Sequence, residues 1–333
     1  MTMTQPPANS IAAVAGLEIG HFTDPRRPTG CTVVIARDGA VGGVDVRGAA
    51  PGTRETDLLA PTNLIERVHA IVLTGGSAWG LEAATGVVRW LEEQGVGMPV
   101  GPALLPIVPA AVLFDLLLGD SAVRPDAQAG YRACQAASRD VPAEGNVGAG
   151  AGAAVGKIFG IGRAMKGGIG SASVTVDGVT VAALIACNAL GDVIDPDTAQ
   201  VIAGARTADG KQLLDSRRAL LAGEAHRPLI AGAHTTIGVI ATDAVISKVQ
   251  ATRLAQMGHD GLARSINPVH TMSDGDTLFA LGTGASGKTL GMMTLGTMAA
   301  EVTARAVVRA VRAAQGITVA GLHLPAIADL GRA

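Results

Sequence analysis

Four patterns in this chain of 333 residues bring together side chains able to do chemistry. Gly282, Gly287, Lys288 and Thr289 satisfy the phosphate-loop pattern GxxxxGK[ST] letter for letter, after a strand-like run and before a helical one. Such a loop cradles phosphates with backbone N–H groups and reaches them with its lysine. Only 44 residues follow, however, and they read as one helix, with no later apolar strand ending in an aspartate for magnesium. A loop entering the last helix is the favoured reading. Gly150, Gly152 and Gly156 imitate a dinucleotide fingerprint but follow SRDVPAEGN, which is not a strand. Ser77 stands where a nucleophile elbow carries its serine, but Trp79 replaces the closing glycine, so Ser77 reads as a turn or helix-cap residue. Asp274-Gly275-Asp276 presents two carboxylates on one side of an extended segment, where they could orient and neutralise a cation. The third ligand position and closing glutamate of a calcium loop are missing, and turn-forming acids and site acids remain equal alternatives. His21, His69, His226, His234, His259, His270 and His323 show no HExxH or similar spacing, so no metal is implied.

Such groups need a core to hold them. Hydrophobic residues make up 48% and charged residues 16%, so uncharged groups or other subunits must cover much of the surface. Aromatics are only 2%, which leaves the core to Ala, Val, Leu and Ile. The 45 glycines follow no collagen-like period and point to tight turns and close backbone approaches. A net charge of -2 gives no electrostatic reason to expect nucleic acid or an anionic membrane as partner. Cys31, Cys134 and Cys187 are odd in number and far apart, which fits a reducing compartment and neither a disulfide framework nor a zinc site. The N-terminus lacks a basic region and does not read as a signal peptide, so the expected location is cytoplasmic. Residues 95–114 carry no charge over a membrane-spanning length, but Pro99, Pro102, Pro106 and Pro109 break helical continuity. A buried turn leading into a short helix is expected there.

Strand and helix signals alternate. Residues 31–39, 69–76, 235–243 and 276–284 read as strands, and 171–188 as a hairpin turning at Asp177-Gly178. Residues 80–95, 247–266 (capped by Ser247) and 290–316 read as helices. Hairpins mixed with long helices favour stacked sheets flanked by helices, an α+β class, over a parallel α/β fold. The polar segment 204–228 reads as an exposed linker before a buried strand, a sensible place for a chain cut.

Five segments together carry a resemblance: LTGGSAWGLEAATGVV (73–88), GAGAAVGK (150–157), CNALGDV (187–193), HTTIGVIATDA (234–244) and GLARSINPVHTMSDGDTLFAL (261–281). In this order, over about residues 12–315, the chain resembles the family of L-aminopeptidase/D-esterases, β-peptidyl aminopeptidases and nylon-oligomer hydrolases. The resemblance implies an αββα sandwich, one domain over 1–333, made as a precursor that cuts itself before Thr235 into fragments 1–234 and 235–333. Those fragments would weigh roughly 23 and 10 kDa. The chemistry is sound: a threonine hydroxyl needs a nearby base, and an N-terminal α-amine titrates at roughly 7.7–8.0 on the same residue. Cleavage between His234 and Thr235 would create nucleophile and base together.

Other roles follow from the resemblance position by position. Lys157 would hold the nucleophile or the developing negative charge, and Asn188 would help form the oxyanion hole. Asp274 and Asp276 would orient the α-amine. The chain departs from the family at His234, where asparagine or glycine is usual, and at Phe114, where some members carry a tyrosine hydroxyl. Trp79 stands at another aromatic position and is expected, with Phe114, to line the substrate pocket. The His234 ring is a candidate base for cutting, which would make the cutting rate fall below about pH 6. The expected protein is an amidase or aminopeptidase for small amides or peptides, without metal or cofactor, as a homotetramer. An acyltransferase of ornithine-acetyltransferase architecture and a nucleotide-binding protein using residues 282–289 are the alternatives.

Overall fold

The computed structural model describes residues 9–224, 232 and 234–330. A nine-stranded sheet is formed by β1 (Glu18–Thr23), β2 (Gly30–Val46), β3 (Thr53–Arg54), β4 (Arg67–Thr74), β5 (Ala110–Val112), β6 (Gly168–Val176), β7 (Val179–Asn188), β8 (Thr235–Thr242) and β9 (Thr277–Gly282). Its order is β6-β7-β8-β9-β2-β4-β5-β3, with β1 also paired to β2. β8 and β9 run parallel, as do β4 and β5; the remaining ladders are antiparallel. The helices are α1 (Ala83–Glu93), α2 (Ala127–Gln135), α3 (Ser216–Leu221), α4 (Lys248–Ser265) and α5 (Met292–Arg312).

The sheet bends at β2. Cys31–Ile35 of this 17-residue strand pair with β4, the register shifts between Ile35 and Ala40, and Val41–Val46 pair with β9. One strand therefore serves both halves, which face each other. Because side chains alternate along a strand, each half buries one face inward and one outward. Val34, Ile71 and Leu73 from one half meet Leu184, Ile237, Val239 and Phe279 from the other. The outward residues Ile185, Ile240 and Leu278 pack under Leu254 of α4 and Val302 and Val307 of α5. On the opposite side, Val33, Ile35 and Val72 pack under Val87 and Leu91 of α1. The result is the expected αββα sandwich. Helices α1 and α2 cross where a Cβ on Gly86 would lie 1.7 Å from the Ala127 carbonyl and one on Gly130 1.9 Å from that of Ala83. Glycine at both positions is what lets the backbones touch.

The expected strands and helices form, with β2 running past Gly39 and α2 unannounced in the sequence. Ser247 caps α4 in a capping box, accepting from Gln250 N while the Gln250 side chain accepts from Ser247 N. Two expectations are corrected. Residues 95–114 hold no helix but an exposed hairpin, Met98–Val100 with Ala103–Leu105, followed by β5, because the prolines remove the donors a helix needs. The supposed linker is partly built in: Ser216, at the start of α3, is buried and tied to the Asp192 carboxylate through its N–H (2.6 Å) and hydroxyl (2.8 Å). Its residues 225–228 lie outside the described residues, as do residues 1–8 of the N-terminus read above for a signal peptide. Among the described residues no helix is long and apolar enough to cross a membrane.

Candidate active site

Thr235 opens β8, the strand flanked by β7 on one side and β9 on the other. Its side chain shares a face with Ile237 and Val239, so it points into the space between the two sheet halves, and it is buried. The register sets it opposite Asn188, the last residue of β7. The Thr235 hydroxyl donates to the carbonyl of His234, the peptide carbonyl just ahead of it. Gly275 N–H donates to the same oxygen at 2.9 Å. A carbonyl so placed has a hydroxyl beside it and a fixed donor on its oxygen. A Cβ on Gly275 would lie 2.9 Å from the Thr235 hydroxyl oxygen and 2.8 Å from the Ala50 carbonyl, so this position has room only for hydrogen.

The two aspartates come from the turn that feeds β9, and both are buried. Asp276 accepts from Thr236 N–H with one oxygen (2.7 Å), and with the other from His270 Nδ1 (2.8 Å) and N (3.2 Å). Asp274 accepts from Thr271 N–H at 2.7 Å. Burial, and then the neighbouring Asp276, push the Asp274 carboxyl above the usual range. The end of β2 grips this turn from behind: Arg47 N–H bonds the Asp276 carbonyl (3.0 Å) and Ala50 N–H that of Asp274 (2.8 Å). Both acids thus lie beside the backbone of residues 234–236.

Lys157 follows Gly156, whose φ of +71° and a would-be Cβ 2.0 Å from Ala205 N exclude other residues. The turn carries the ammonium to Asn188, where it donates to the carbonyl and to the side-chain oxygen, both at 2.8 Å. Burial lowers its pKa from 10.5 to about 7, only partly offset by the attraction of Asp274. Asn188 Oδ1 also accepts from Ala154 N–H (3.0 Å), and Nδ2 donates to the Phe114 carbonyl (3.1 Å). His234 is buried, and neither ring nitrogen has a partner among the described residues. Desolvation, then repulsion from Lys157, bring its pKa down to about 3, which keeps the ring neutral at ordinary pH. An imidazole-dependent fall near pH 6 is therefore not expected.

A cleft of about 160 Å³ opens onto Thr235, lined among others by Ala50, Ser77, Ala78, Phe114 and Gly232. Phe114 lines this cleft and Trp79 does not. Trp79 is 57% exposed, lines a separate cleft with Arg26 and Glu82, and carries the Arg124 guanidinium 4.4 Å from its ring centre. The resemblance puts Trp79 at the pocket, but Ser77 sits at φ +55° and the turn that follows leaves the indole exposed. Lys288 of the phosphate-loop match is exposed and donates to the Asp177 carbonyl at the β6–β7 turn (3.0 Å).

Several residues of this region escaped the sequence reading. Lys166 is fully buried, donates to the carbonyls of Gly150, Ala153 and Gly167 at 2.9 Å each, and so shapes the glycine-rich loop beside Asn188. Arg27 and Asp115 form a buried ion pair at 2.7 Å, and Asp115 also accepts from Thr29 and Gly76. A lysine in an apolar, glycine-flanked run was the available signal for Lys166; nothing local marked Arg27. Among the described residues no group of three or more His, Cys, Asp or Glu could hold a metal ion.

Comparison with known proteins finds relatives over most of the chain. The chain is 44% identical over 339 residues to a Mycobacterium tuberculosis protein named as an uncharacterised aminopeptidase, covering 93% of this chain and 95% of the relative. It is 33% identical over 272 residues to the 6-aminohexanoate-oligomer endohydrolase of Paenarthrobacter ureafaciens, covering 80% and 73%. A Burkholderia sp. beta-aminopeptidase superposes with a TM-score of 0.72 at 24% identity, over 99% of this chain and 95% of that one. The L-aminopeptidase D-Ala-esterase/amidase of Ochrobactrum anthropi, described as a variant of the Ntn-hydrolase fold, gives 0.71 at 20% identity over 98% and 93%. The model of peptidase family S58 matches residues 9–323, and the chain belongs to that family.

Proposed function

We propose that this protein is a self-processing hydrolase of small amides whose nucleophile is Thr235, freed as an N-terminus by cleavage after His234. The observation that carries the reading is the pair of contacts on the His234 carbonyl, the Thr235 hydroxyl on one side and Gly275 N–H on the other. Attack of the hydroxyl oxygen on that carbonyl carbon breaks the bond to the Thr235 nitrogen, which takes the hydroxyl proton. The resulting ester is hydrolysed by water, leaving a carboxylate on His234 and a free hydroxyl and α-amine on Thr235. In turnover the α-amine accepts the hydroxyl proton as Thr235 attacks a substrate carbonyl, and returns it to the leaving amine. Lys157 and Asn188 face the developing negative charge, while Asp274 and Asp276 hold the cationic α-amine.

The small cleft at Thr235 and the names of the relatives support amino-acid amides, short peptides or amino-acid oligomers as substrates. A homotetramer of cut protomers is part of the proposal, supported by the exposed apolar residues Val100, Leu104 and Leu105 of the 98–105 hairpin. Intact mass and N-terminal sequencing test the reading. The purified protein should give two pieces, the smaller beginning at Thr235. A single full-length chain that nonetheless hydrolyses an amino-acid p-nitroanilide would overturn it.

A further inference from the structure

The segment 268–276 brings a histidine to the site that the proposed chemistry leaves unused. We propose that His270 is a positioning residue that fixes the Asp276 carboxylate against the nucleophile strand. This rests on the reading of Asp276 as part of the site.

His270 grips one carboxylate oxygen twice, through Nδ1 at 2.8 Å and through its backbone N–H at 3.2 Å. Such a double grip needs the ring folded back over its own backbone, and His270 adopts φ +54°, a left-handed conformation that few non-glycine residues tolerate. The carboxylate only accepts, so Nδ1 carries the hydrogen. The other carboxylate oxygen takes Thr236 N–H, so both oxygens of Asp276 are held. The titratable groups facing this carboxylate are His270, Asp274 and Lys157, with the Cys187 thiol behind.

The ring of His270 is itself wedged. His259 of α4, fully buried, meets it edge to face with centroids 4.8 Å apart. His259 Nε2 bonds the Asp45 carbonyl at 3.0 Å, and burial brings its pKa down to about 4, so a neutral ring donates there. Beyond it lie the Asp45 carboxylate, 3.7 Å from His259 Nε2, and Arg47, which bonds that carboxylate at 2.8 Å. α4 and β2 thereby back the histidine that backs the acid.

The test is a double-mutant cycle on the cut enzyme with an amino-acid p-nitroanilide or linear 6-aminohexanoate dimer. His270→Ala should lower kcat by about 10-fold or more, the scale of one hydrogen bond to a charged group, with KM little changed. His270→Asn should recover most of that loss, since asparagine tolerates the left-handed backbone and its amide can stand in for Nδ1. In an Asp276→Asn background, His270→Ala should cost less than about 2-fold, because its target is gone. Wild-type kcat in His270→Ala, or an equal loss in both backgrounds, overturns the inference while leaving the site reading intact. Full kcat in Asp276→Asn overturns the site reading itself. If His270→Ala fails to fold, the asparagine variant decides: near-normal kcat supports the role, and a loss as large as that of Asp276→Asn refutes it.

Discussion

Replacing Gly275 by alanine puts a methyl group directly against the Thr235 hydroxyl. Gly275 is not in the left-handed region, so alanine can adopt its backbone and the penalty is one of space. The new carbon would lie 2.9 Å from the Thr235 hydroxyl oxygen and 2.8 Å from the Ala50 carbonyl, where ordinary contact begins at 3.4 Å. Ala50 is pinned by its hydrogen bond to Asp274, so the hydroxyl must yield by about 0.5 Å. Overpacking of this kind costs about 1–3 kcal/mol of stability. Moving a nucleophile by a fraction of an ångström slows its reaction by roughly 10- to 100-fold. Gly275→Ala should therefore accumulate as an uncut chain under conditions in which the parent chain is processed. Cell-free synthesis, quenched at intervals and resolved on a denaturing gel, gives the first-order rate. A melting curve on the same material separates slow cutting from failure to fold. Cutting at the parent rate in a folded Gly275→Ala protein would refute the argument that this glycine makes room for the attack.

Lys157→Met and Asn188→Ala should each reduce turnover of a p-nitroanilide by roughly 10²-fold or more if they face transition-state charge, and unchanged kcat in both would remove them from the site. Lys157 and Lys166 both bind a proton more weakly folded, at about 7, than their ordinary 10.5. The unfolded chain holds more protons between those values, so stability should rise with pH through that window; a Tm that falls steadily from pH 7 to 9 would contradict their burial. His234 stays neutral down to about 3, so the pH profiles of cutting in wild type and His234→Asn should share one acid limb. A limb near pH 6 present only in wild type would show that the ring acts as base. Chelator should leave turnover unchanged and ATP with magnesium should leave Tm unchanged; a Tm increase would revive the loop at 282–289 as a nucleotide site.

Periodicity made the sheet legible: the alternation in β6 and β7, the turn at Asp177-Gly178 and the capped start of α4 all stand where their residues put them. What one sequence could not show is which strands become neighbours. Asn188 and Thr235 lie opposite each other only because β7 pairs with β8, a ladder with an intervening segment of more than 40 residues. Nor did the sequence show that Trp79 would face another cleft than Ser77, two residues before it, which depends on the left-handed backbone at Ser77. Lys166 and Asp115 carry no motif; their importance arises from what surrounds them once the glycine-rich loop is folded. His270 sat inside a recognised segment yet signalled nothing until its ring was seen to share an oxygen with its own backbone.

The bend in β2 also decides what a break at residue 234 can do mechanically. β8 and β9 form a two-strand insert, zipped along β7 on one side and along the far half of β2 on the other. A cut there exposes no new edge. Two such pieces would behave like a key left in its lock: parting them would mean unzipping both seams at once, so dilution alone should not separate them. A terminus made at Thr235 would likewise be the first rung of an interior ladder and not a frayed end, which would give the α-amine a fixed address.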